Sequence, residues 1–343
     1  MKKLITLLIA VIMIFTLCAC GQSSTTSTSA ETQAPAAEPV KAVDLSFATI
    51  YADTTVTGMT ALRFKELLEE KSNGAITVTI YPSSQLGTEQ EQVESVNMGA
   101  IDLTIPATGI CGNFAKSLQI FTLPYVIDDW DHLDKVINGP IGDELASQFE
   151  DATNIRVLAR NWYRQPRSLY GTKLLDSLAD LKGFRVRVPE NTTYVEGWKA
   201  LGASPVSLTL SEVYSGLQTG AVDGAETTID SFINNGYYSV CKYYYMTNHV
   251  YEANWLLMNE DKFNSFSPEL QEVILEAAFE AGQYHQQLVH EGLEDKYKQI
   301  QDEGVQIIDI DRDEWIAAMD GVAEKIWNVW GDEDLFAEIR ALS

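Results

Sequence analysis

Cysteine is scarce in this sequence, with four residues among 343. Cys18 and Cys20 stand close to the N-terminus, whereas Cys111 and Cys241 are far apart in the rest of the chain. A small fold held together by a framework of disulfides is therefore excluded. Cys111 and Cys241 could form one disulfide in an oxidising compartment, and two separate buried thiols are the alternative.

Positive charge is also scarce, because 24 Lys and Arg residues face 49 Asp and Glu residues and leave a formal net charge of −25. So acidic a chain repels nucleic acid, which excludes a nucleic-acid partner. The sequence lacks a glycine-rich nucleotide loop, a G-x-S-x-G elbow and a C-x-x-C pair. The four histidines, His132, His249, His285 and His290, do not stand at the spacing of a zinc site. We expect neither a cofactor nor a metal.

An acidic run, Asp309-x-Asp311-x-Asp313, resembles the start of a calcium-binding loop. It lacks the Gly required at the sixth position and the Glu required at the twelfth, where Glu314 and Asp320 stand. A strand that ends near Asp309, followed by a helix capped by Asp311, accounts for the run without a metal.

One long apolar run stands at the N-terminus, where Lys2 and Lys3 precede apolar residues 4–15. The run is shorter than the about 20 residues of a transmembrane helix, so it predicts a signal peptide over residues 1–19. The residues before Cys20 resemble the lipobox of bacterial lipoproteins, and Cys20 is therefore predicted to carry a lipid. An uncleaved anchor or an ordinary secretion signal is the alternative.

Residues 20–42 are rich in Ser, Thr, Ala, Gln, Pro and Glu and contain hardly any large apolar side chain. Such a segment cannot bury enough apolar surface to become ordered. It is predicted to form a flexible tether between the lipid on Cys20 and the folded body. This layout would hold the protein just outside a membrane.

The rest of the chain alternates between strand and helix patterns. Val43, Leu45 and Phe47 alternate with polar residues, as in a strand, and helical spacing follows shortly afterwards. The same order recurs in the second half, which favours an α/β fold of about two folded units. Residues 99–102 (Gly-Ala-Ile-Asp) and 220–223 (Gly-Ala-Val-Asp) each join a helix end to a strand. They indicate two similar lobes, with chance similarity as the alternative.

A long helix is predicted near the C-terminus. Ser267 and Pro268 provide an N-cap and a first helical residue, and the helical pattern continues to about Ile300. Such a helix is long enough to brace two lobes from behind. Two helices broken near Gly282 or Gly292 are the alternative.

Three of the few positive side chains, Arg164, Arg167 and Arg187, stand near predicted strand ends. Arg185 and Arg187 alternate within one predicted strand and therefore point to the same face. A guanidinium group grips a carboxylate through two parallel hydrogen bonds, which makes arginine the expected residue at a small-acid site. Ordinary salt bridges are the alternative.

Several blocks of sequence carry a resemblance to a known family. In order, they are Ile80–Gly87 (IYPSSQLG), Leu123–Val126 (LPYV), Leu181–Pro189 (LKGFRVRVP), Leu201–Pro205 (LGASP), Ser211–Tyr214 (SEVY) and Leu217–Glu226 (LQTGAVDGAE). With these blocks the chain resembles the solute-binding proteins of TRAP transporters, the DctP-type receptors, over about residues 43 to 310.

The resemblance implies a two-lobed α/β fold like that of periplasmic binding proteins, with a cleft between the lobes. It implies that lobe I comprises 43–164 plus about 253–290, and lobe II comprises 165–252 plus about 291–343. The implied function is extracytoplasmic capture of a small organic acid by a monomer, without catalysis, and delivery to the small and large membrane subunits of a permease. The acid could be a monocarboxylate, a dicarboxylate or a uronate.

The resemblance also implies site residues. Arg187 matches the arginine that forms a salt bridge with the ligand carboxylate in the family, and Arg167 matches a second arginine that assists it. Thr227 stands where many members have an Asn that contacts the ligand. Ile50 and Ala107 stand where sugar-acid-binding relatives have polar or acidic side chains. The implied pocket is therefore less acidic, which disfavours a ligand like sialic acid.

Seven further residues lie beside strand ends predicted to face the cleft, or match ligand-near positions of the family. Packing in the core or the hinge is the alternative role for each of them. They are Tyr51, Thr108, Trp162, Tyr163, Leu210, His249 and Asn254.

Two other functions fit the same features. A ligand-sensing lipoprotein would have the same fold and site but would present its occupied state to a receptor. An exported enzyme acting on small acids would need a general acid, a general base or a nucleophile in the cleft, and no motif supplies one.

Overall fold

The computed structural model describes residues 42–343. The predicted signal peptide, Cys20 and the tether up to residue 41 lie outside the described residues. Within them, no helix combines the length and the apolar character that a membrane crossing requires.

The described chain contains eleven strands and fourteen α-helices, joined by loops and short 3-10 helices. The strands are β1 Val43–Ala48, β2 Ile76–Tyr81, β3 Leu103–Thr104, β4 Ile155–Tyr163, β5 Arg167–Gly171, β6 Arg185–Val188, β7 Ser204–Ser207, β8 Gly224–Thr228, β9 Tyr243–Val250, β10 Ala253–Asn259 and β11 Gln306–Ile308. The helices are α1 Val56–Lys71, α2 Glu89–Asn97, α3 Thr108–Cys111, α4 Trp130–Ile137, α5 Pro140–Ala152, α6 Thr192–Ala200, α7 Val213–Gln218, α8 Ile229–Asn234, α9 Glu260–Asn264, α10 Pro268–Glu291, α11 Leu293–Asp302, α12 Arg312–Ala317, α13 Ala323–Ile326 and α14 Leu335–Arg340.

The strands form two sheets with the same internal arrangement. The first sheet has the order β2-β1-β3-β10-β4, and the second has the order β11-β9-β5-β8-β6-β7. In the first, β1 pairs in parallel with β2 and β3, and β10 runs antiparallel between β3 and β4. In the second, β6 pairs in parallel with β7 and β8, and β5 runs antiparallel between β8 and β9. The predicted two-lobed α/β fold is confirmed, with one sheet in each lobe.

The repeated tetrapeptide plays the same part in both sheets. The glycine that opens each copy ends a helix with a positive φ, of 72° and 71°, which favours glycine. Asp102, which ends the first copy, accepts a hydrogen bond from the backbone N–H of Ser46 in β1 at 2.8 Å. Asp223, which ends the second, accepts one from the backbone N–H of Arg185 in β6 at 3.0 Å. The repeat therefore marks equivalent positions in two similar lobes.

Two predicted helix starts are confirmed. The Ser267 hydroxyl accepts a hydrogen bond from the backbone N–H of Leu270 and caps α10. Asp311 accepts one from the backbone N–H of Glu314 and caps α12, shortly after β11 ends at Ile308. The acidic run near residue 310 is thus a strand end followed by a helix cap.

The predicted single helix to Ile300 is wrong, because the chain breaks at Gly292 into α10 and α11, as in the alternative. The 24 residues of α10 lie against α1 and β4 of lobe I, whereas α11 lies against α8 and β11 of lobe II. The pair of helices therefore spans from one lobe to the other.

The C-terminal segment differs from the predicted division of the lobes. The side chains of Val322, Trp330, Leu335 and Ile339 pack in the same apolar cluster as Leu133 and other lobe I residues. The assignment of everything after residue 291 to lobe II is therefore wrong for this segment. Periodicity shows that a segment has an apolar face, but not which lobe that face covers.

Cys111 and Cys241 are free thiols, each buried in a different apolar cluster. The alternative of two separate thiols is the one that the structure shows. Burial raises the pKa of the Cys241 thiol to about 12, so it is an apolar packing group rather than a reactive one.

Close packing at Gly282 generates a stability prediction. A Cβ atom on Gly282 would lie 2.0 Å from the Oδ1 atom of Asn161, a buried residue of β4. We therefore expect Gly282→Ala to lower the free energy of unfolding by about 1 to 3 kcal/mol, although alanine normally favours a helix over glycine. Urea denaturation of both proteins measures the change.

The matched control is the same substitution in an Asn161→Ala background, which removes the atom that clashes. There we expect Gly282→Ala to be neutral or stabilising. A stabilising Gly282→Ala in the wild-type background would contradict the close approach of α10 to β4.

Candidate functional site

The chain crosses between the lobes from β4 to β5 and from β9 to β10, and an ion pair joins these two segments. The backbone N–H of Arg164 donates to the carbonyl oxygen of Glu252 at 3.0 Å. The Nη1 atom of Arg164 lies 2.6 Å from Oε1 of Glu252, and both side chains are largely buried. The two crossings are therefore bound to each other by backbone and side chain.

A second buried ion pair lies at the start of β5. The Nε and Nη2 atoms of Arg167 each lie 2.6 Å from an oxygen of Glu226 on β8, a bidentate contact. The guanidinium group also stacks over the ring of Tyr194, with 5.2 Å between its carbon and the ring centroid. The Nε2 atom of His249 lies 3.3 Å from Glu226.

The charges of this cluster balance each other. Burial by itself would raise the pKa of Glu226, but the charge of Arg167 and the hydrogen bonds from His249 and Arg167 lower it to about 2. Burial also lowers the pKa of His249, which favours the neutral imidazole. Arg167 and Glu226 thus form an ionised pair oriented by a neutral His249, which is hydrogen-bonded in turn to Thr247 at 2.9 Å.

Arg187 has no such partner. Its side chain is buried, with 4% of the residue exposed, and its Nε and Nη2 atoms donate to the carbonyl oxygen of Leu208 at 2.9 and 2.6 Å. Among the arginines of residues 42–343, only Arg187 and the partly buried Arg312 lack a carboxylate within salt-bridge distance. Burial lowers the pKa of Arg187. A buried cation without a counterion is costly.

The register of the second sheet relates the two arginines. Arg187 is paired with Ala225, so it shares a face of the sheet with Thr227, two residues further along β8. Arg167 is paired with Thr228 and therefore points to the opposite face. Along β8 their partners, Ala225 and Thr228, are three residues apart. The positive charge of Arg167 also helps to lower the pKa of Arg187.

Several polar groups of lobe I lie near one another at the ends of its strands. The Oδ1 atom of Asn254 lies 3.5 Å from the hydroxyl of Tyr51, and its Nδ2 atom lies 3.4 Å from the hydroxyl of Thr57. Ala107 forms a β-bridge with Asn254. The hydroxyl of Thr108 is buried and has no hydrogen-bond partner among residues 42–343.

Two glutamates that the sequence did not single out belong to the same region. An oxygen of Glu89 accepts a hydrogen bond from the backbone N–H of Ala107 at 3.3 Å. Burial raises the pKa of Glu89, while Arg164 acts in the opposite direction and Glu252 raises it further. The expectation of a less acidic pocket, drawn from Ile50 and Ala107, stays a prediction and did not take Glu89 into account. One signal was visible in the sequence, since the N-cap Thr88 places Glu89 in the first turn of α2.

Trp162 and Tyr163 are buried and make their contacts within the protein. Trp162 is fully buried, donates to the carbonyl oxygen of Ala278 at 3.2 Å and packs in the cluster beneath α10. The hydroxyl of Tyr163 is hydrogen-bonded to Asp134 and Asn138, and its ring lines a separate cavity of about 360 Å³. These contacts fit the alternative role in packing, and ligand contact by the two residues stays a prediction.

Two other predicted site residues belong to lobe II. His249 lies in the Arg167–Glu226 cluster. Leu210 is exposed and stands two residues after Leu208, whose carbonyl oxygen holds Arg187. The described chain thus has two similar lobes, two crossing segments bound to each other, and a buried guanidinium group without a carboxylate partner. This arrangement is typical of a substrate-binding protein of the periplasmic type.

Comparison with known proteins agrees with this class. Residues 47–329 match the family described as bacterial extracellular solute-binding protein, family 7, or DctP. The chain belongs to this family of TRAP-transporter solute-binding proteins, which act outside the cytoplasm and are not enzymes.

Three relatives illustrate the similarity. The chain is 29% identical to the 2,3-diketo-L-gulonate-binding periplasmic protein YiaO of Escherichia coli, over 74% of this chain and 77% of that protein. It is 29% identical to the C4-dicarboxylate-binding periplasmic protein DctP of Rhodobacter capsulatus, over 78% and 79%. A TRAP periplasmic solute-binding protein of Xanthobacter autotrophicus Py2, solved with bound β-D-galacturonate, superposes with a TM-score of 0.80 at 29% identity, over 87% and 99%.

The Arg167–Glu226 pair predicts a pH-dependent stability. Glu226→Gln leaves Arg167 without its buried counterion, so we expect a loss of about 3 to 5 kcal/mol in the free energy of unfolding at pH 7. Because the pKa of Glu226 falls from 4.5 to about 2 on folding, its stabilisation is complete above pH 4.5 and is lost as the pH falls towards 2. The difference between wild type and variant should shrink over that range. Urea denaturation at pH 7, 5, 4 and 3 measures it.

Glu94→Gln is the matched control, since Glu94 is exposed on α2. It should leave the pH profile unchanged. A difference between wild type and Glu226→Gln that stays constant from pH 7 to pH 3 would show that Glu226 does not stabilise the fold as an anion.

Proposed function

We propose that this protein captures a small organic acid between its lobes and delivers it to the small and large membrane subunits of a TRAP permease. The observation that carries the proposal is the buried guanidinium group of Arg187, which has no counterion in the described chain. A ligand carboxylate would supply that counterion. The uronate bound to the Xanthobacter relative and the dicarboxylate named for the Rhodobacter relative are both small organic acids.

The remaining residues have distinct roles in this proposal. Arg187 binds the carboxylate, and Thr227 adds a hydrogen bond from the same face of the sheet. Arg167 supports the site from the opposite face, held by Glu226 and His249. Its Nη1 atom lies 3.5 Å from Glu252, so the support extends to the crossing between the lobes.

Lobe I would close over the bound acid. Tyr51, Thr108 and Asn254 would contact the ligand from that side, with Leu210 at the mouth of lobe II. Closure would turn about the two crossings, near residues 164 and 252, and would remove water from the ion pair, which strengthens it. The predicted lobe boundaries at these crossings are part of this proposal.

The ligand-binding role of Arg187 is tested with Arg187→Ala. We expect a small organic acid that stabilises the wild type to have no effect on this variant, because the carboxylate loses its counterion. At 100 times its dissociation constant, a ligand adds about 2.7 kcal/mol of stability. Thermal unfolding of the full chain, refolded to remove carried-over ligand, measures the shift against a panel of acids.

Arg185→Ala is the matched control, because Arg185 lies on the same strand but is only partly buried and is paired with Asp223 at 2.7 Å. It should keep the ligand-induced shift. A shift that survives in Arg187→Ala would overturn the proposed clamp. Uptake of the acid by membranes that contain the permease subunits separates transport from the ligand-sensing alternative.

The proposal also includes a lipid anchor on Cys20. We expect the mature protein to begin at Cys20 and to fractionate with membranes, and Cys20→Ser to abolish the lipid modification. Mass spectrometry of the N-terminal peptide measures both. Cys18→Ser should leave the modification in place, and lipid on Cys18 would overturn the assignment.

A further inference from the structure

One segment of lobe I, residues 122–128, is inserted into lobe II, and we call it the inserted segment. Leu123 and Val126 pack in the apolar cluster of lobe I. Tyr125 packs instead in the cluster that contains Leu169 of the second sheet. The φ angle of Tyr125 is 64°, which is uncommon for a residue other than glycine. Such a conformation persists where the surrounding contacts impose it.

Two contacts join the inserted segment to α6 of lobe II. The Oγ1 atom of Thr122 donates to Oδ1 of Asn191, the N-cap residue of α6, at 3.1 Å. Pro124 lies against the same helix further along, where a Cβ atom on Gly197 would be 2.5 Å from the Cδ atom of Pro124. Glycine at residue 197 therefore permits the close approach of the two lobes at this point.

Arg312 of α12 joins the inserted segment to β9. Its Nη2 atom donates to the carbonyl oxygen of Asp128 at 2.8 Å and to that of Asn248 at 3.4 Å. Its guanidinium group also stacks over the ring of Tyr125, with 5.5 Å between its carbon and the ring centroid. The backbone N–H of Tyr125 donates in turn to the carbonyl oxygen of His249 at 2.7 Å. Arg312 and Tyr125 thus bind a lobe I segment to a lobe II strand.

The residues of the candidate site are buried in this arrangement of the lobes. Thr108 and Asn254 are buried in lobe I, and Arg187 is buried in lobe II. A rotation of one lobe against the other about residues 164 and 252 would move the inserted segment relative to α6 and β9 and would break its contacts there. The inserted segment therefore stabilises the arrangement in which the candidate site is shielded from water.

We propose that the inserted segment and Arg312 form a latch that holds the lobes in this arrangement before an acid binds, and that the affinity for the acid depends on this latch. The first part concerns the ligand-free protein, whereas the second part rests on the proposed function. A protein that spends a smaller fraction of its time in the binding-competent arrangement binds its ligand more weakly by that fraction. Loosening the latch would thus weaken binding without removing any side chain of the candidate site.

Arg312→Met tests the latch in the ligand-free protein. Methionine keeps an apolar contact with the ring of Tyr125 but donates no hydrogen bond. The backbone N–H of Tyr125 reports on opening, because it is hydrogen-bonded across the lobes. We expect this N–H to exchange with deuterium about tenfold faster in the variant than in the wild type. Hydrogen exchange of the refolded full chain, followed by mass spectrometry, measures the rate.

Arg340→Met is the matched control. Arg340 also binds Asp128, with its Nη1 atom 2.6 Å from Oδ1, but it belongs to α14, which packs on lobe I. It should leave the exchange of the Tyr125 N–H unchanged. Thr122→Val is a second latch variant that leaves Arg312 in place, and it should also speed the exchange, because valine cannot donate to Asn191.

The second part is tested by isothermal titration calorimetry with D-galacturonate, D-glucuronate, D-erythronate and succinate as probes. We expect the dissociation constant of an acid that binds the wild type to rise about tenfold in Arg312→Met and to stay within about twofold in Arg340→Met. Arg312→Lys should give an intermediate value, since its ammonium group can still donate to a carbonyl oxygen.

The outcomes separate the latch from the function. Exchange in both ligand-free latch variants as slow as in the wild type would overturn the latch. Faster exchange with an unchanged dissociation constant would overturn the dependence of affinity on the latch and leave the proposed function standing. A weaker affinity with unchanged exchange would show that Arg312 acts on the acid directly rather than through the lobes, which also overturns the inference. If none of the probes binds the wild type, the second part fails together with the proposed function, and the exchange rates still decide the first.

Discussion

The constraint on which the structure depends is the burial of guanidinium groups where the chain passes between the lobes. Charges in such a place are tolerated only with close, well-oriented partners. Arg164 and Arg167 obtain theirs from Glu252 and Glu226 at 2.6 Å, and these contacts bind the crossing segments to each other and to the second sheet. Arg187 is the exception, since it is buried and its hydrogen-bond partner in the described part of the chain is a carbonyl oxygen, not a carboxylate. Its unmet charge is the physical reason for proposing an anionic ligand.

The two lobes share one arrangement of strands. In each sheet a parallel core is completed by an antiparallel strand, β10 or β5, that follows a crossing from the other lobe. In each, an aspartate after a helix-ending glycine holds the neighbouring strand, as Asp102 does for β1 and Asp223 for β6. Because each lobe has its own hydrogen-bonded sheet, we expect the lobes to move as rigid bodies. The change in shape would then be confined to the crossings, where the candidate site lies.

Local signals in the sequence predicted the features that depend on neighbouring residues. Ser267 and Asp311 were identified as caps because a cap is a local hydrogen bond, and the sequence repeat indicated two lobes because it recurs in a helix-to-strand joint. Contacts between distant residues left no such local signal. Trp162 and Tyr163 stand beside the first crossing in sequence, yet their polar atoms are bound to Ala278 and Asp134 in the core. Proximity along a strand does not tell which face a side chain takes.

The sequence by itself determined the α/β alternation, the family resemblance and the choice of Arg187 as the candidate clamp, because these depend on periodicity and on short blocks of neighbouring residues. Only the tertiary structure decided which arginines are already neutralised. Arg167 and Glu226 are brought together by strand pairing, and nothing in their spacing along the chain indicates a bidentate contact. The same holds for Glu89 and Glu252, which come close to Arg164 from separate segments of the chain. Charge compensation is a property of distances between remote residues, so it emerges only when the chain is folded.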